Sequence, residues 1–167
     1  MAGRAPRPSE RASRQAAGRF AVIAARFNEA ISKKLADGAV AALGAGGVGP
    51  DRVELHWVPG SFELPQAAMA LARTGRYAAI VCVGVVIRGE TPHFEYLGGA
   101  AAHGLSRVAM DTGVPVTFGV ITSLTEEQAW ERAGGRVGHR GEEAARAALE
   151  MAAWIRDIRA RRRPGGR

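Results

Sequence analysis

The sequence predicts an α/β protein, a three-layer sandwich built on a four-stranded parallel sheet. Strand-like and helix-like segments alternate four times with short connections, which is typical of βα units in a parallel sheet. Residues 79–87 are apolar almost throughout, which indicates a strand covered by helices on both faces. With right-handed crossovers between the strands, we expect a flavodoxin-like strand order.

The first strand–helix–strand unit is predicted in the first third of the chain. Residues 20–24 form an apolar run, and a helix follows with Asn28 as its candidate N-cap and Gly44 as its natural end. Residues 53–57 alternate apolar and polar side chains, as a second strand does, and a Pro-Gly pair ends this segment.

The middle of the chain continues the alternation. A second helix starts near Leu64, with a proline in its first turn, and ends at Gly75. The third strand covers residues 79–87, and residues 88–92 form the loop to a long helix that ends near Gly113.

The last third of the chain contributes one strand and two helices. Residues 115–121 form the fourth strand. Thr125, with a glutamine three residues on, reads as a capping box for a short helix that stops at Gly134. A final helix runs from about Gly141 into an arginine-rich tail, and Pro164 closes it.

We expect one folded domain, residues 18–158, between two basic tails. Residues 1–17 lack periodicity and are predicted to be disordered, and residues 159–167 form the second tail. The formal charge is +7, but eleven of the 23 basic residues lie in residues 1–19 and 156–167. The body is close to neutral, which argues against an RNA-binding module and predicts no specific nucleic-acid partner.

The composition favours a cytoplasmic protein that binds no membrane. No segment approaches the roughly 18 consecutive apolar residues of a membrane span, and the N-terminus lacks the apolar core of a signal peptide. The single cysteine, Cys82, lies in an apolar run, where a buried small hydrophobe is more common than a catalytic thiol. No Cys/His cluster has zinc spacing, so we predict no metal site.

Candidate site residues follow the strands, because ligands bind beyond the carboxyl ends of parallel strands. The strongest local pattern is the loop Arg88-Gly89-Glu90-Thr91-Pro92-His93. Thr91 can cap the next helix while Pro92 occupies its first turn, and the free N–H groups there make an anion site. An ordinary strand-to-helix turn is the alternative, and His93 taken alone is more often a surface histidine than a catalyst.

Two aromatic residues follow the first two strands. Phe27 is either a ring-stacking platform or a core plug. Phe62 is predicted to be exposed in a tight turn, where Glu63 can accept hydrogen bonds from a polyol; the alternative is a helix N-cap at Ser61. Arg132 carries the fork of donors that suits phosphate. It is usually a solvated helix charge, as are the basic residues of the next loop, Arg136, His139 and Arg140.

Five segments occur together in the order and at the spacing of one enzyme family. They are Arg26-Phe27-Asn28, Val58-Pro59-Gly60-Ser61-Phe62-Glu63-Leu64-Pro65, Val86-Ile87-Arg88-Gly89-Glu90-Thr91-Pro92-His93-Phe94, Pro115-Val116-Thr117-Phe118-Gly119-Val120 and Glu127-Gln128-Ala129-Trp130-Glu131-Arg132-Ala133-Gly134. Each segment alone is weak evidence for a family, but five segments in this order and at this spacing are highly specific. From about Phe20 to Ile155, the chain resembles the lumazine synthases.

The resemblance implies a condensation that uses neither cofactor nor metal. The implied substrates are 5-amino-6-(D-ribitylamino)uracil and 3,4-dihydroxy-2-butanone 4-phosphate, and the product is 6,7-dimethyl-8-ribityllumazine, a step of riboflavin biosynthesis. Both substrates are reactive, so holding them in one site supplies much of the acceleration. The proton transfers need a group that titrates near neutrality, and histidine suits this role.

The resemblance also implies a role for each matching residue. His93 moves protons, and Phe27 stacks on the pyrimidine with Asn28 hydrogen-bonded near it. The other contacts to the pyrimidine and the ribityl chain fall on Ser61, Phe62, Glu63, Val85, Val86, Ile87, Phe118 and Arg140. The phosphate contacts fall on Glu90, Thr91 and Arg132.

Three features depart from the family pattern. Arg140 stands where many members have lysine, which keeps the charge but not the point-like ammonium. Glu90 lies in the phosphate loop, where a small residue is common, and we expect its carboxylate to point outward. The N-terminal segment lacks the apolar strand that many members lend to a neighbour.

The resemblance implies a homo-oligomer in which neighbouring subunits share active sites. The pentamer is the predicted assembly, and many members join twelve such rings into a 60-subunit shell. The short loop of residues 134–141 favours the shell, whereas the lack of an apolar N-terminal strand argues against it. The sequence therefore predicts the pentamer and does not decide whether pentamers assemble into a shell. Riboflavin synthase is the candidate partner.

The alternative function is a related protein that binds a flavin or a lumazine without turnover. Such a binder would keep Phe27 and Phe62, but it would not need both His93 and Arg132. The presence of both residues favours the enzyme.

Overall fold

Residues 18–161 are described by a computed structural model, and they contain one four-stranded sheet, one short hairpin and five α-helices. The strands are β1 (Arg19–Ala25), β2 (Val53–Val58), β3 (Tyr77–Ile87), β4 (Val116–Ser123), β5 (Ala133–Gly135) and β6 (Gly138–His139). The helices are α1 (Glu29–Ala45), α2 (Leu64–Ala72), α3 (His93–Thr112), α4 (Glu126–Arg132) and α5 (Arg140–Arg161). Two short 3₁₀ helices are Pro50–Arg52 and Ser61–Glu63.

The main sheet has the strand order β2-β1-β3-β4, and every neighbouring pair is parallel. Ala24 lies beside Trp57 on one side and Val83 on the other, and Val83 in turn lies beside Gly119. The predicted three-layer, flavodoxin-like α/β sandwich is therefore confirmed. All four strands end at the same side of the sheet, which we call the carboxyl edge.

Each face of the sheet has its own hydrophobic core. Helices α1 and α5 cover the face to which Val81 and Val83 contribute, and α2 and α3 cover the face to which Ile80 and Cys82 contribute. This double cover explains why β3 is apolar along its whole length. Cys82 is fully buried, and burial raises the pKa of its thiol, so its predicted role as a small buried hydrophobe is confirmed.

Tertiary contacts change some predicted boundaries. Helix α2 ends at Ala72, and Gly75 lies in the following turn with φ +69°. The segment after α4, predicted as a glycine-broken loop, is instead the β5–β6 hairpin. Gly134 and Gly138 have φ values of +105° and +131°, which glycine adopts without steric cost. Glycines that allow a tight hairpin and glycines that break structure look the same in a sequence.

The described range ends at the last residue of the last helix. Helix α5 continues to Arg161, past residue 158, where the folded domain was predicted to end. The predicted disordered segment 1–17 and Pro164 lie outside the described residues. Between residues 18 and 161, none of the helices combines the length and the apolarity needed to cross a membrane.

A charged cluster joins the first three strands near their amino ends. Glu54 accepts hydrogen bonds from Arg19 at 2.9 Å, from Arg76 at 3.0 Å and from the Tyr77 hydroxyl. His56 Nε2 lies 3.5 Å from the same carboxylate. The Tyr77 hydrogen bond, followed by the charges of Arg76 and Arg19, holds the pKa of Glu54 below its usual value. Folding therefore favours the ionised carboxylate.

Glu54→Gln is expected to flatten the acid limb of the stability curve. A carboxyl group whose pKa is lowered by folding stabilises the native state above its unfolded pKa, and this contribution is lost as the pH falls through the folded pKa. The wild type loses the stabilisation from ionised Glu54 as the pH falls through the folded pKa, whereas the variant lacks this stabilisation at every pH. Denaturant midpoints measured from about pH 7 to about pH 3 test this. Glu150→Gln is the control, because Glu150 lies on the exposed surface of α5. If the denaturant midpoints of Glu54→Gln and of the wild type fall with pH at the same slope, the prediction is contradicted.

A close approach of two helix backbones requires glycine at the start of α5. A Cβ atom at Gly141 would overlap the carbonyl oxygen of Leu35 in α1 and lie 2.8 Å from its carbonyl carbon. These are backbone atoms, so neither can rotate away.

Gly141→Ala is therefore expected to lower the free energy of unfolding by about 1–3 kcal/mol, the usual cost of overpacking. Gly44→Ala in α1 is the matched control, because no atom lies within 4 Å of the added methyl group. The control is expected to be neutral or to stabilise by up to about 1 kcal/mol. Thermal or denaturant unfolding measures both, and equal stabilities of the two variants would rule out the backbone clash.

Candidate functional site

The ends of β1 and β2 are joined by the backbone at the carboxyl edge. Arg26 N donates to Val58 O at 2.8 Å, and Phe27 N donates to Pro59 O at 3.1 Å. The Phe27 side chain is 72% exposed, which rules out the alternative in which Phe27 packs in the core. The backbone is fixed in this position and the ring is open to solvent, where it is available as a stacking surface.

Asn28 connects β1 to β3 through its side chain. Its backbone is left-handed, with φ 60° and ψ 48°, a conformation that asparagine tolerates better than most residues. Asn28 occupies the N-cap position of α1, as predicted, but its side chain caps no amide of the helix. Nδ2 instead donates to Val85 O at 3.4 Å. The expected capping bond is thus replaced by a contact across the carboxyl edge.

The 3₁₀ helix after β2 holds three predicted site residues. Ser61 does not cap a helix; its Oγ is buried and has no hydrogen-bond partner among the described residues. A Cβ atom at Gly84 of β3 would lie 2.7 Å from this oxygen, so glycine there makes room for the hydroxyl. Phe62 is 60% exposed, as predicted, and Glu63 is partly buried.

The end of β3 presents backbone to the site. Val85 and Val86 are buried, and Ile87 is partly buried beside Ser123 of β4. The apolar side chains of these residues are thus used in the core, so any contact that they make with a ligand at the carboxyl edge is through their peptide groups.

The loop after β3 leads to the amino terminus of α3. Glu90, Thr91 and His93 are all exposed. The prediction that Thr91 caps α3 is wrong, because the helix begins at His93 and Pro92 occupies the cap position without a side-chain hydrogen bond. The first amides of a helix have no helical carbonyl to pair with, so they are available to an anion. His93 lies directly at this helix terminus.

A second region lies along the edge strand β4. A cavity of about 420 Å³ is lined by Phe118 and Arg140, together with Thr117, Val120, Glu143, Ala144 and Ala147. Phe118 is 44% exposed, and the Arg140 guanidinium forms an ion pair with Glu143. This ion pair lies in the lining of the cavity. We call Phe118 and Arg140 the β4 group.

Arg132 is the last residue of α4, the helix that follows β4. Thr125 caps this helix by accepting from Gln128 N at 3.2 Å, and Gln128 Oε1 accepts from Leu124 N at 2.9 Å. The predicted cap by Thr125 is confirmed. Arg132 Nη1 donates to Gln128 O at 2.9 Å, which holds the guanidinium against its own helix.

The site residues of one chain fall into separate places. Phe118 lies beside Cys82, three positions before Val85, which corresponds to about 10 Å along a strand. Phe27, Asn28, residues 61–63 and 85–91 and His93 gather at the carboxyl edge, and we call them the carboxyl-edge group. The cavity beside Phe118 is lined by no member of that group.

Five residues that line the cavity were not predicted as site residues, and two of them, Thr117 and Glu143, are polar. Glu143 lies three positions after Arg140, an ion-pair spacing on a helix that could have indicated the contact. Thr117 carries a buried hydroxyl oxygen without a partner among the described residues. Nothing in the sequence distinguishes it from other strand threonines. Within residues 18–161, no three His, Cys, Asp or Glu side chains are placed to hold a metal ion.

A flavodoxin-like sheet with two exposed aromatic rings and a helix amino terminus at its carboxyl edge is typical of α/β proteins that bind small molecules. The family model of 6,7-dimethyl-8-ribityllumazine synthase matches residues 17–156, most of the chain. The chain belongs to the 6,7-dimethyl-8-ribityllumazine synthase family, which confirms the resemblance seen in the sequence. Membership implies a transferase of riboflavin biosynthesis that acts on small molecules and assembles as an oligomer.

Proposed function

We propose that the chain condenses 5-amino-6-(D-ribitylamino)uracil with 3,4-dihydroxy-2-butanone 4-phosphate to 6,7-dimethyl-8-ribityllumazine, releasing phosphate and water. One observation carries this proposal within the family. The exposed rings of Phe27 and Phe62 lie at the same edge of the sheet as the amino terminus of α3. Aromatic surfaces suit a pyrimidine, and a helix amino terminus suits a phosphate.

The pyrimidine lies against Phe27 in this proposal. Asn28 and the peptide groups of Val85, Val86 and Ile87 surround its polar edge. The bond from Asn28 to Val85 O supports this arrangement, because it holds the amide side chain across the end of β3 before a substrate binds.

The ribityl chain binds along Ser61, Phe62 and Glu63. The Ser61 hydroxyl, which has no partner among the described residues, supports this assignment, since a buried polar group without a partner costs about 1–3 kcal/mol and a polyol can pair with it. The Glu63 carboxylate accepts hydrogen bonds from the ribityl hydroxyls.

The phosphate of the second substrate binds at the start of α3, through the backbone of Glu90 and Thr91. The exposure of Glu90 supports an outward carboxylate, which avoids repulsion of the anion. Arg132 supplies the positive charge, and its fork retains free donors while Nη1 holds Gln128 O.

His93 moves the protons. The amine of the pyrimidine attacks the ketone, water leaves to form an imine, phosphate is eliminated, and the second amine closes the ring with loss of another water. The elimination of phosphate removes a proton from the carbon next to the imine, and the other steps transfer protons to or from nitrogen or oxygen. An imidazole at the phosphate site can accept and return these protons. The reaction as proposed draws on no cofactor or metal ion.

The active site is shared between neighbouring subunits of a pentameric ring. The separation of the β4 group from the carboxyl-edge group supports this, because a head-to-tail ring places one subunit's edge over the next subunit's site. Phe118, Arg140 and Arg132 of one subunit then complete the site of its neighbour. The mass of the assembly in solution distinguishes a single ring from a 60-subunit shell.

Incubation of the purified protein with both substrates tests the proposed reaction. We expect lumazine fluorescence and one phosphate released per lumazine, well above a mixture without protein. Omission of either substrate serves as the second control. Tight binding of lumazine with no phosphate release above the protein-free control would instead establish the non-catalytic binder.

A further inference from the structure

His139 is held in a slot made by two glycines. A Cβ atom at Gly38 of α1 would overlap the ring atoms Cε1 and Nε2 of His139, and one at Gly134 would lie 3.1 Å from Cδ2. The imidazole therefore packs directly against the surface of α1. A residue larger than glycine at position 38 or 134 would occupy part of the space that the ring fills. His139 is also paired with Ala133 across the β5–β6 hairpin.

The ring also caps the last helix. His139 Nδ1 accepts a hydrogen bond from Glu142 N at 3.3 Å. His139 is the residue before α5, and Glu142 is its third residue, so this is the bond of a side-chain N-cap. Nδ1 can accept only in the neutral tautomer that carries its proton on Nε2.

Arg140 is the first residue of the helix that His139 caps. Its guanidinium is held by Glu143 one turn on and lines the cavity beside Phe118. The direction of the Arg140 side chain depends on where the first turn of α5 lies. That turn is fixed by the His139 cap and by the contact of Gly141 with the Leu35 backbone.

We propose that His139 is a positioning residue: packed against Gly38, it caps α5 and thereby aims Arg140 into the substrate cavity. This inference rests on the proposed function, in which Arg140 contacts the pyrimidine substrate of the neighbouring subunit. His139 itself touches no substrate and transfers no proton.

Steady-state kinetics of three variants give the first test. His139→Ala is expected to raise the KM for the pyrimidine substrate about three- to tenfold, the scale of a lost helix cap, with kcat and the KM for the butanone phosphate within about twofold of wild type. His139→Asn restores the KM, because an asparagine side chain accepts from the same amide. Gly38→Ala keeps the imidazole but displaces it, and it is expected to reproduce His139→Ala. If His139→Ala does not fold, Gly38→Ala still tests whether His139 positions Arg140.

A double-mutant cycle separates positioning from general stability. If His139 acts through Arg140, adding His139→Ala to Arg140→Ala raises the KM no further. Multiplicative effects of the two substitutions would overturn the proposal, and so would an unchanged KM in both His139→Ala and Gly38→Ala.

Crystal structures of the variants without substrate separate this inference from the proposed reaction. We expect the Arg140–Glu143 pair to be displaced in His139→Ala and retained in His139→Asn. If the wild type makes no lumazine, the proposed function fails, and these structures alone decide the positioning role. An Arg140 side chain that stays in place without the imidazole overturns it.

Discussion

Arg132→Ala is expected to raise the KM for the butanone phosphate about ten- to a hundredfold, with a much smaller change in the KM for the pyrimidine. A hydrogen bond between a guanidinium and a phosphate is worth roughly 1.5–3 kcal/mol, and the arginine is the charge assigned to this anion. The free protein holds the guanidinium against Gln128 O, so the side chain is already ordered when the phosphate arrives. Steady-state kinetics with each substrate varied in turn measure both constants.

Arg136→Ala is the matched control for this effect. Arg136 lies in the β5–β6 hairpin, where its side chain is 91% exposed and paired with Glu131. Removing it takes away one nearby positive charge without touching the proposed phosphate site, so both KM values are expected to stay within about twofold. An equal rise in both constants for Arg132→Ala would mean that Arg132 supports the fold or the subunit contact instead.

His93→Ala is expected to lower kcat by up to about a hundredfold, while both KM values and the unfolding temperature stay near those of wild type. General acid–base help is worth about 10²–10⁴-fold, and reactive substrates place this case at or below the low end. The side chain is exposed at the first position of α3, so its removal leaves no cavity in the core. Single-turnover measurements of lumazine formation isolate the chemical step.

His103→Ala controls for the loss of any imidazole from α3. His103 is also exposed on this helix, but it lies ten positions from the phosphate loop and is expected to leave kcat unchanged. A wild-type turnover number for purified His93→Ala would remove His93 from the proposed mechanism.

The fold could be predicted because its signals are local and repeated. The continuous apolar run of β3, the glycine after α3 and the Thr125 cap each follow from a few neighbouring residues. The β5–β6 hairpin could not be predicted in this way. Its strands are two or three residues long, and they are defined by their pairing and not by a hydrophobic pattern.

The site was only partly predictable for the same reason. The rule that ligands bind at the carboxyl ends of parallel strands brought Phe27, Phe62 and His93 together from the sequence. The side chain of Asn28 bonds to a neighbour in space, Val85, that lies 57 positions along the chain, so this contact could not be predicted from nearby residues. Phe118 and Arg140 were assigned through the family resemblance alone, and in one chain they line a separate cavity.

Subunit mixing tests most directly the claim that neighbouring subunits complete one active site. His93→Ala and Arg132→Ala are prepared separately and co-assembled in equal amounts, with mixing confirmed by mass. If His93 comes from one subunit and Arg132 from the next, about a quarter of the sites in random head-to-tail rings regain both groups. The predicted result is activity well above the average of the two parents. Activity no greater than that average in confirmed mixed rings would place both residues in one subunit and contradict the shared site.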